Sequence, residues 1–245
     1  MIVEDLLDSL ENDAPIRSVL VGAHWTVVCS LHCGMAAALR GEEAHGHSRI
    51  RDVGRLHQKS ARHLAEYALS QNQLEASIGV AAINSLLGVD ERQIVEVNAL
   101  DVLADQGRGR NIALVGHFPF IPRLKERLYH AEPLGNLWVL ELNPVEGEYP
   151  AQAAPDLIPQ ADMVAMTAST LINHTMDGLL GLCRPDATVM ILGPSTPLSP
   201  RLFSYGVNIL AGTRVVDEAA VLRTVGQGAS FQQVEGVRLV AIQAP

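Results

Sequence analysis

Four times between Ala113 and Thr196, a short run of apolar residues stops abruptly in small polar ones. Ala113-Leu114-Val115 leads into Gly116-His117-Phe118-Pro119, and Val139-Leu140-Glu141-Leu142 into Asn143-Pro144. Met163-Val164-Ala165-Met166 leads into Thr167-Ala168-Ser169-Thr170, and Val189-Met190-Ile191-Leu192 into Gly193-Pro194-Ser195-Thr196-Pro197. The runs start at residues 113, 139, 163 and 189, so by subtraction 26, 24 and 26 residues apart, the length of a strand-plus-helix unit. Apolar runs without alternation suit parallel strands covered on both faces. Open sheets of this kind bind ligands beyond the carboxyl ends of their strands. All four polar bends are therefore expected on one edge, and the site with them.

The first 95 residues follow a different pattern. Residues 2–10 have helical spacing, and 17–21 with 25–31 read as a strand pair turning near Gly22. Residues 40–54 are polar, a loop expected to precede a short third strand or connection, and 56–68 and 74–87 are expected to be helical. That is an α+β arrangement. A boundary near residue 95 gives two domains, 1–95 and 96–245, the second an α/β parallel-sheet unit. In it, helices are expected at 98–105, 121–129, after Pro155, and at 171–183, 199–203 and 218–226, with further strands at 207–210 and, on an edge, 238–242.

Composition narrows the partners. The 245 residues are 48% apolar and 18% charged, with a net charge of −9 and a pI near 5.4. Arg108-Gly109-Arg110 is too short a basic run to neutralise phosphates, so nucleic acid is not an expected partner. The acidic start, Met1 to Leu6, is unlike a signal peptide, and no apolar stretch has the length of a membrane span. Three cysteines make no disulfide framework, so a reducing cytoplasm is the expected compartment. Homo-oligomerisation is compatible with all of this.

The bends carry the chemistry. Gly193, Pro194, Ser195 and Thr196 combine a residue permitting close approach, a fixed turn and two hydroxyls, which suits an anion or serves to cap the next helix. Thr167, Ser169, Thr170 and Asn173 offer three hydroxyls and an amide at one strand-to-helix junction, and His174 follows. Gly116, His117 and Phe118 occupy the first bend. The full glycine fingerprint of dinucleotide folds is absent there, although Glu141, 25 residues after Gly116, sits where an acid can bind ribose. His117 is either a metal ligand, an acid–base group or a rim histidine.

Cys29, His32 and Cys33 suggest a soft-metal site. On an extended strand, however, the two cysteines share one face and His32 points to the other, so coordination requires a turn. A buried cysteine is also an ordinary small apolar residue. His45 and His47, with His57 and His63 beyond, are dense in histidine but lack a thiol or acidic partner nearby.

Several segments together resemble a family of bacterial and archaeal proteins labelled for heavy-metal chelation. The likeness rests on Gly116 to Pro119, Glu141-Leu142, Ala161 to Val164, Thr167 to Thr175, Gly193 to Ser199 and Gly206-Val207. In the front it rests on Ser70-Gln71-Asn72 and on Ser77 to Asn84. This resemblance implies a Rossmann-like domain behind a small α+β, enolase N-terminal-like domain, and it brings Asn84 toward the cleft between them. Two positions depart from the family pattern: Ala168-Ser169-Thr170 replaces a Gly-Thr-Thr run, and Asn173-His174-Thr175 replaces Asn-Gly-Thr. The implied ligand is a divalent heavy metal or a metal-chelating small molecule. The rival is an enzyme acting on a nucleoside-bearing or pterin-like substrate, with His117 or Glu141 moving the proton. No Ser-His-Asp order, carboxylate pair or P-loop supports a particular reaction.

Overall fold

The chain begins with helix α1 (Ile2–Asp8), which buries Ile2, Val3 and Leu6. The computed structural model describes residues 1–41, 49–95, 98–129 and 135–245. Strands β1 (Ser18–Val21), β2 (Trp25–Cys29) and β3 (Cys33–Ala37) form an antiparallel sheet in that order. The apolar stretch at 25–31 is thus cut short. The chain reverses at Ser30, Leu31 and His32, and Cys29 pairs in register with Cys33. The third strand lies here, before the polar segment at 40–54 rather than after it.

Helix α2 (Ala61–Ala65) is preceded by a separate 3₁₀ turn and followed by another at Glu66–Leu69. The expected helix at 56–68 is therefore broken, and Ser60 supplies a new N-cap by accepting the His63 amide. Helix α3 (Gln73–Leu86) starts where Asn72 Oδ1 accepts the Leu74 and Glu75 amides. It is buried almost all round, and small residues make that possible. A Cβ at Gly79 would sit 1.9 Å from the Ala68 nitrogen, and one on Gly34 of β3 would sit 2.1 Å from the Ala81 carbonyl oxygen.

Helix α4 (Ala99–Gln106), capped by Asn98, leads into β4 (Ile112–Val115), α5 (Ile121–Tyr129), β5 (Leu137–Glu141) and the short β6 (Tyr149–Pro150). Then follow α6 (Ala154–Leu157), β7 (Met163–Thr167), α7 (Ser169–Ile172), α8 (Met176–Leu180) and β8 (Thr188–Leu192). Residues 199–203 form part of a 3₁₀ turn, and β9 (Ile209–Val215), α9 (Glu218–Gly226) and β10 (Val237–Gln243) complete the chain. The large sheet has the order β10-β9-β8-β7-β4-β5-β6. Only β10 is antiparallel, and it ends the sheet as expected, with a single bridge from Ala241 to Val95.

The unalternating strands have two apolar faces. Ala113, Val164 and Ile191 join a cluster that contains Ile2, Leu64, Ile78 and Leu171. Leu114, Met163 and Met190 join another with Leu103 and Leu124 from α4 and α5. A third cluster sets Val221 and Val225 of α9 against Val27, Cys29 and Met35 of the small sheet. The small sheet is thus covered by α3 on one side and α9 on the other. No helix among the described residues is long and apolar enough to cross a membrane.

A Gly79→Ala substitution is expected to cost about 3 kcal/mol in urea unfolding, because backbone must shift to admit the methyl group. Gly178→Ala, where a Cβ meets nothing within 4 Å, is expected to be neutral or slightly stabilising. Equal effects would contradict the close approach of α3 to Ala68.

Glu75 gives the fold an acid limit. Its side chain is 4% exposed. Burial works against its charge, but the Ser70 hydroxyl, the Arg51 amide and the Arg51 guanidinium outweigh it and hold the carboxyl below its ordinary value. A lowered folded-state pKa stabilises above the unfolded-state value and is lost as pH falls through the folded one. Urea stability should therefore decline below about pH 4.3, and Glu75→Gln should flatten that part of the decline. An unchanged slope in the variant would exclude Glu75 as its source.

Candidate functional site

Because β4, β5, β7, β8 and β9 run parallel, the bends that follow them leave one edge of the sheet. Thr167 pairs with Leu192, and the Ala168 amide donates to the Leu192 carbonyl at 2.9 Å. The bends bearing Thr170 and Ser195 are thus neighbours. The strand order reverses between β4 and β7, and there Gly116 (φ +109°) packs on Thr167. A Cβ on Gly116 would lie 2.8 Å from Thr167 Cγ2, so glycine is required both for its backbone angle and for the contact.

Most of the expected polar groups are already occupied by one another. Thr170 Oγ1 donates to the Thr167 carbonyl at 2.6 Å, and Thr167 Oγ1 donates to Ser169 Oγ at 3.1 Å. Asn173 Oδ1 accepts from Thr175 Oγ1 at 2.7 Å. Glu141 accepts the Leu142 amide. His117 Nδ1 bonds Glu148 Oε1 at 2.7 Å and its ring stays exposed. The Val145 amide and His117 hold the Glu148 carboxyl below its ordinary value. Phe118 is a core residue, stacked on Phe120 at 5.2 Å.

The Gly193 bend has a different role, with Gly193 again at positive φ (+110°). Ser195 Oγ accepts the Ala37 amide of β3 at 2.8 Å. Asn84 Nδ2, from α3, donates to the Ser195 carbonyl at 3.1 Å and to the Met35 carbonyl at 2.9 Å. The Pro194 carbonyl accepts from Thr213 Oγ1 at 3.4 Å. The bend therefore joins the two sheets. After these bonds are made, Asn84 Oδ1 and Thr196 Oγ1 stay buried without a protein partner.

Asn84 and Thr196 both line a cavity of 310 Å³, whose other walls include Arg17, His32, Cys33, Arg214 and Glu218. From the bends marked out in the sequence, only Thr196 reaches it; Asn84 joins it from the front segment. Arg17, Arg214 and Glu218 come from separate segments and form no motif, so the sequence offered no spacing to find them. The one local signal was Asp217, whose side chain caps α9 and sets Glu218 in its first turn. Glu218 pairs with Arg17 at 2.6 Å. Arg214 and Arg238 both reach Glu91, leaving that group with net positive charge. Burial, with the Arg214 and Arg17 charges adding to it, holds His32 below its ordinary pKa, toward the neutral ring.

The cysteines depart from expectation in two ways. Cys29 and Cys33 form a disulfide, so two of the three thiols assumed free are joined. The turn that brings them together precedes Cys33 and puts His32 beside it on the cavity wall. A Glu218 carboxylate oxygen lies within 4.8 Å of both sulfurs. Cys183 is apart from this group, its thiol pushed up to about 11 by burial. His57 and His63 are exposed, and His45 and His47 lie outside the described residues.

His174 breaks the helix expected at 171–183, separating α7 from α8 at φ +59°. This left-handed angle explains the glycine in the family pattern at the same place. Its Nε2 donates to the Ser70 carbonyl at 2.8 Å, tying the segment before α3 to the large sheet's helices.

Residues 98–243 match the model of a family, DUF364, described as "Putative heavy-metal chelation". Residues 3–87 match a second family model, DUF4213, with the same description. An uncharacterized protein of Methanocaldococcus jannaschii is 27% identical over 190 residues, 72% of this chain and 68% of that one. The crystal structure of a DUF364 protein of unknown function from Desulfitobacterium hafniense DCB-2 superposes with a TM-score of 0.85 at 27% identity, covering 99% of this chain and 98% of the other. One from Pyrococcus horikoshii, also of unknown function, gives 0.82 at 23% identity with the same coverage, a likeness of fold.

The left-handed histidine separates two energies. His174→Ala keeps the strained angle and loses the bond to Ser70, and is expected to lose about 1 kcal/mol in urea unfolding. His174→Gly loses the same bond but relieves the angle, and is expected to be about 1 kcal/mol more stable than the alanine variant. An alanine variant as stable as the glycine one would contradict the strain.

Proposed function

The chain belongs to the DUF364 family, and from that premise we propose that it binds a small anionic metal chelate in the cavity between Asn84, Thr196 and the two arginines. The observation that carries this reading is the pair of buried, unpartnered atoms, Asn84 Oδ1 and Thr196 Oγ1. Leaving such a group unsatisfied costs about 1–3 kcal/mol. A ligand that hydrogen-bonds both atoms recovers that cost on binding. The cavity volume of 310 Å³ suits a small molecule. Carboxylates wrapped around a metal ion present acceptor oxygens to Arg17, Arg214 and the Thr196 hydroxyl, while a metal-bound water donates to Asn84 Oδ1.

In this reading residues 1–95 are an enolase N-terminal-like domain and 96–245 a Rossmann-like one, with the ligand between them. Arg17, His32 and Asn84 come from the first, and Thr196, Arg214 and Glu218 from the second. Metal handling agrees with the family's description, and the arginines of the cavity supply positive charge that the net −9 of the chain otherwise lacks. The role of the chain is then to hold and orient: hydrogen bonds at Asn84 and Thr196 fix the ligand, and the arginines neutralise it.

The test uses nickel nitrilotriacetate, free nitrilotriacetate and ATP in thermal-shift titrations of the untagged protein with its disulfide intact. The nickel complex is expected to raise the melting temperature, reaching about 2.7 kcal/mol of stabilisation at a hundredfold excess over Kd. Thr196→Val removes the unpartnered hydroxyl, so it should stabilise the ligand-free protein by about 1 kcal/mol. It should also weaken the nickel complex at least tenfold. No shift with the complex, or an unaltered affinity in Thr196→Val, would refute the chelate reading. A shift with ATP alone would favour the nucleoside-bearing substrate instead.

A further inference from the structure

We propose that the reduced β2–β3 hairpin and the first turn of α9 form a separate site for one thiophilic divalent cation, held by Cys29 Sγ, Cys33 Sγ and a Glu218 carboxylate oxygen. These ligand atoms lie within 4.8 Å of one another. Cys29 and Cys33 face each other across the hairpin with their Cα atoms 4.1 Å apart. Glu218 is brought to them by α9, whose Val221 and Val225 pack on Val27, Cys29 and Met35 of the same sheet face. The ligands are thus carried on two elements held together by apolar contact, independently of any metal. None of the residues that carry the family resemblance is among them.

The site is closed in the oxidised protein because the two sulfurs are bonded to each other. A dithiol reductant opens it: two electrons break the Sγ–Sγ bond, each sulfur gains a proton, and the reductant forms its own disulfide. The incoming cation then displaces the two thiol protons to solvent. Two thiolates and one carboxylate around a divalent ion leave one negative charge, and Arg17, 2.6 Å from Glu218, offsets it. Sulfur donors select zinc- and cadmium-class ions over calcium and magnesium. Three protein ligands leave a fourth position for water or another ligand, and two of the three, Cys33 and Glu218, line the cavity. The hairpin therefore takes up metal under reducing conditions and is shut by oxidation. This site borders the cavity of the chelate reading and shares Arg17 with it, but it is tested separately, since its ligands are side chains and its occupant is a bare ion.

Cadmium titration of the full chain carrying Cys183→Ala, which removes the remaining thiol, tests the proposal. Protein reduced with a phosphine is expected to develop a thiolate-to-cadmium ultraviolet band that saturates at a single equivalent. The oxidised protein and Cys33→Ser should show no such band, and Glu218→Gln should bind at least tenfold more weakly. A reduced protein without the band, a band that survives in Cys33→Ser, or an unchanged affinity in Glu218→Gln would overturn the site. Thr196→Val should keep the cadmium band. A chelate that fails to shift the oxidised protein while the reduced protein still binds cadmium would remove only the chelate reading.

Discussion

Asn84 holds the two sheets together through one side-chain amide. Its Nδ2 donates to Met35 in β3 and to Ser195 in the bend after β8, while Ser195 Oγ receives the Ala37 amide. These bonds are shielded by α3, a helix packed so closely that Gly79 and Gly34 have no room for a methyl group. In such surroundings each polar atom must find a partner or carry a penalty. The bend is therefore fixed, and with it the place of Thr196. The cavity follows from that placement, bounded by a junction whose amide donors are used and where Asn84 Oδ1 and the Thr196 hydroxyl are not.

The parallel sheet was legible because its strands are apolar on both faces, an uncommon pattern that short runs at regular intervals expose. Asn72, Asn98 and Asp217 cap α3, α4 and α9 through their side chains, close to the starts that the helical spacing predicts. The hairpin at Ser30 to His32 was hidden because apolar residues continue on both sides of it, and the strands pair over a turn without glycine or proline. His174 concealed a helix break for a related reason: histidine rarely adopts the left-handed angle, and a bond to Ser70, more than a hundred residues away, helps hold it there.

The site was legible only in part. Sequence reasoning placed hydroxyl-rich bends on one edge, and they are there. It did not foresee that Thr167, Ser169 and Thr170 would hydrogen-bond one another, which no count of hydroxyls reveals. Arg17, Arg214 and Glu218 meet only because α9 crosses the small sheet beside the end of β9. The residue types fit neutral hydrogen bonding and charge balance at the cavity, with sulfur confined to its wall. That division separates a ligand held through its outer atoms from an ion held by thiolates.

The central claim is that Asn84 Oδ1 and Thr196 Oγ1 are directed at a ligand. Co-crystallising the oxidised protein with nickel nitrilotriacetate and locating the nickel by anomalous diffraction tests this most directly. The account predicts the nickel peak inside the cavity, with ligand atoms or a nickel-bound water in hydrogen-bonding range of both side chains. A cavity holding only ordered water, with nickel bound instead to exposed histidines such as His57, would contradict it.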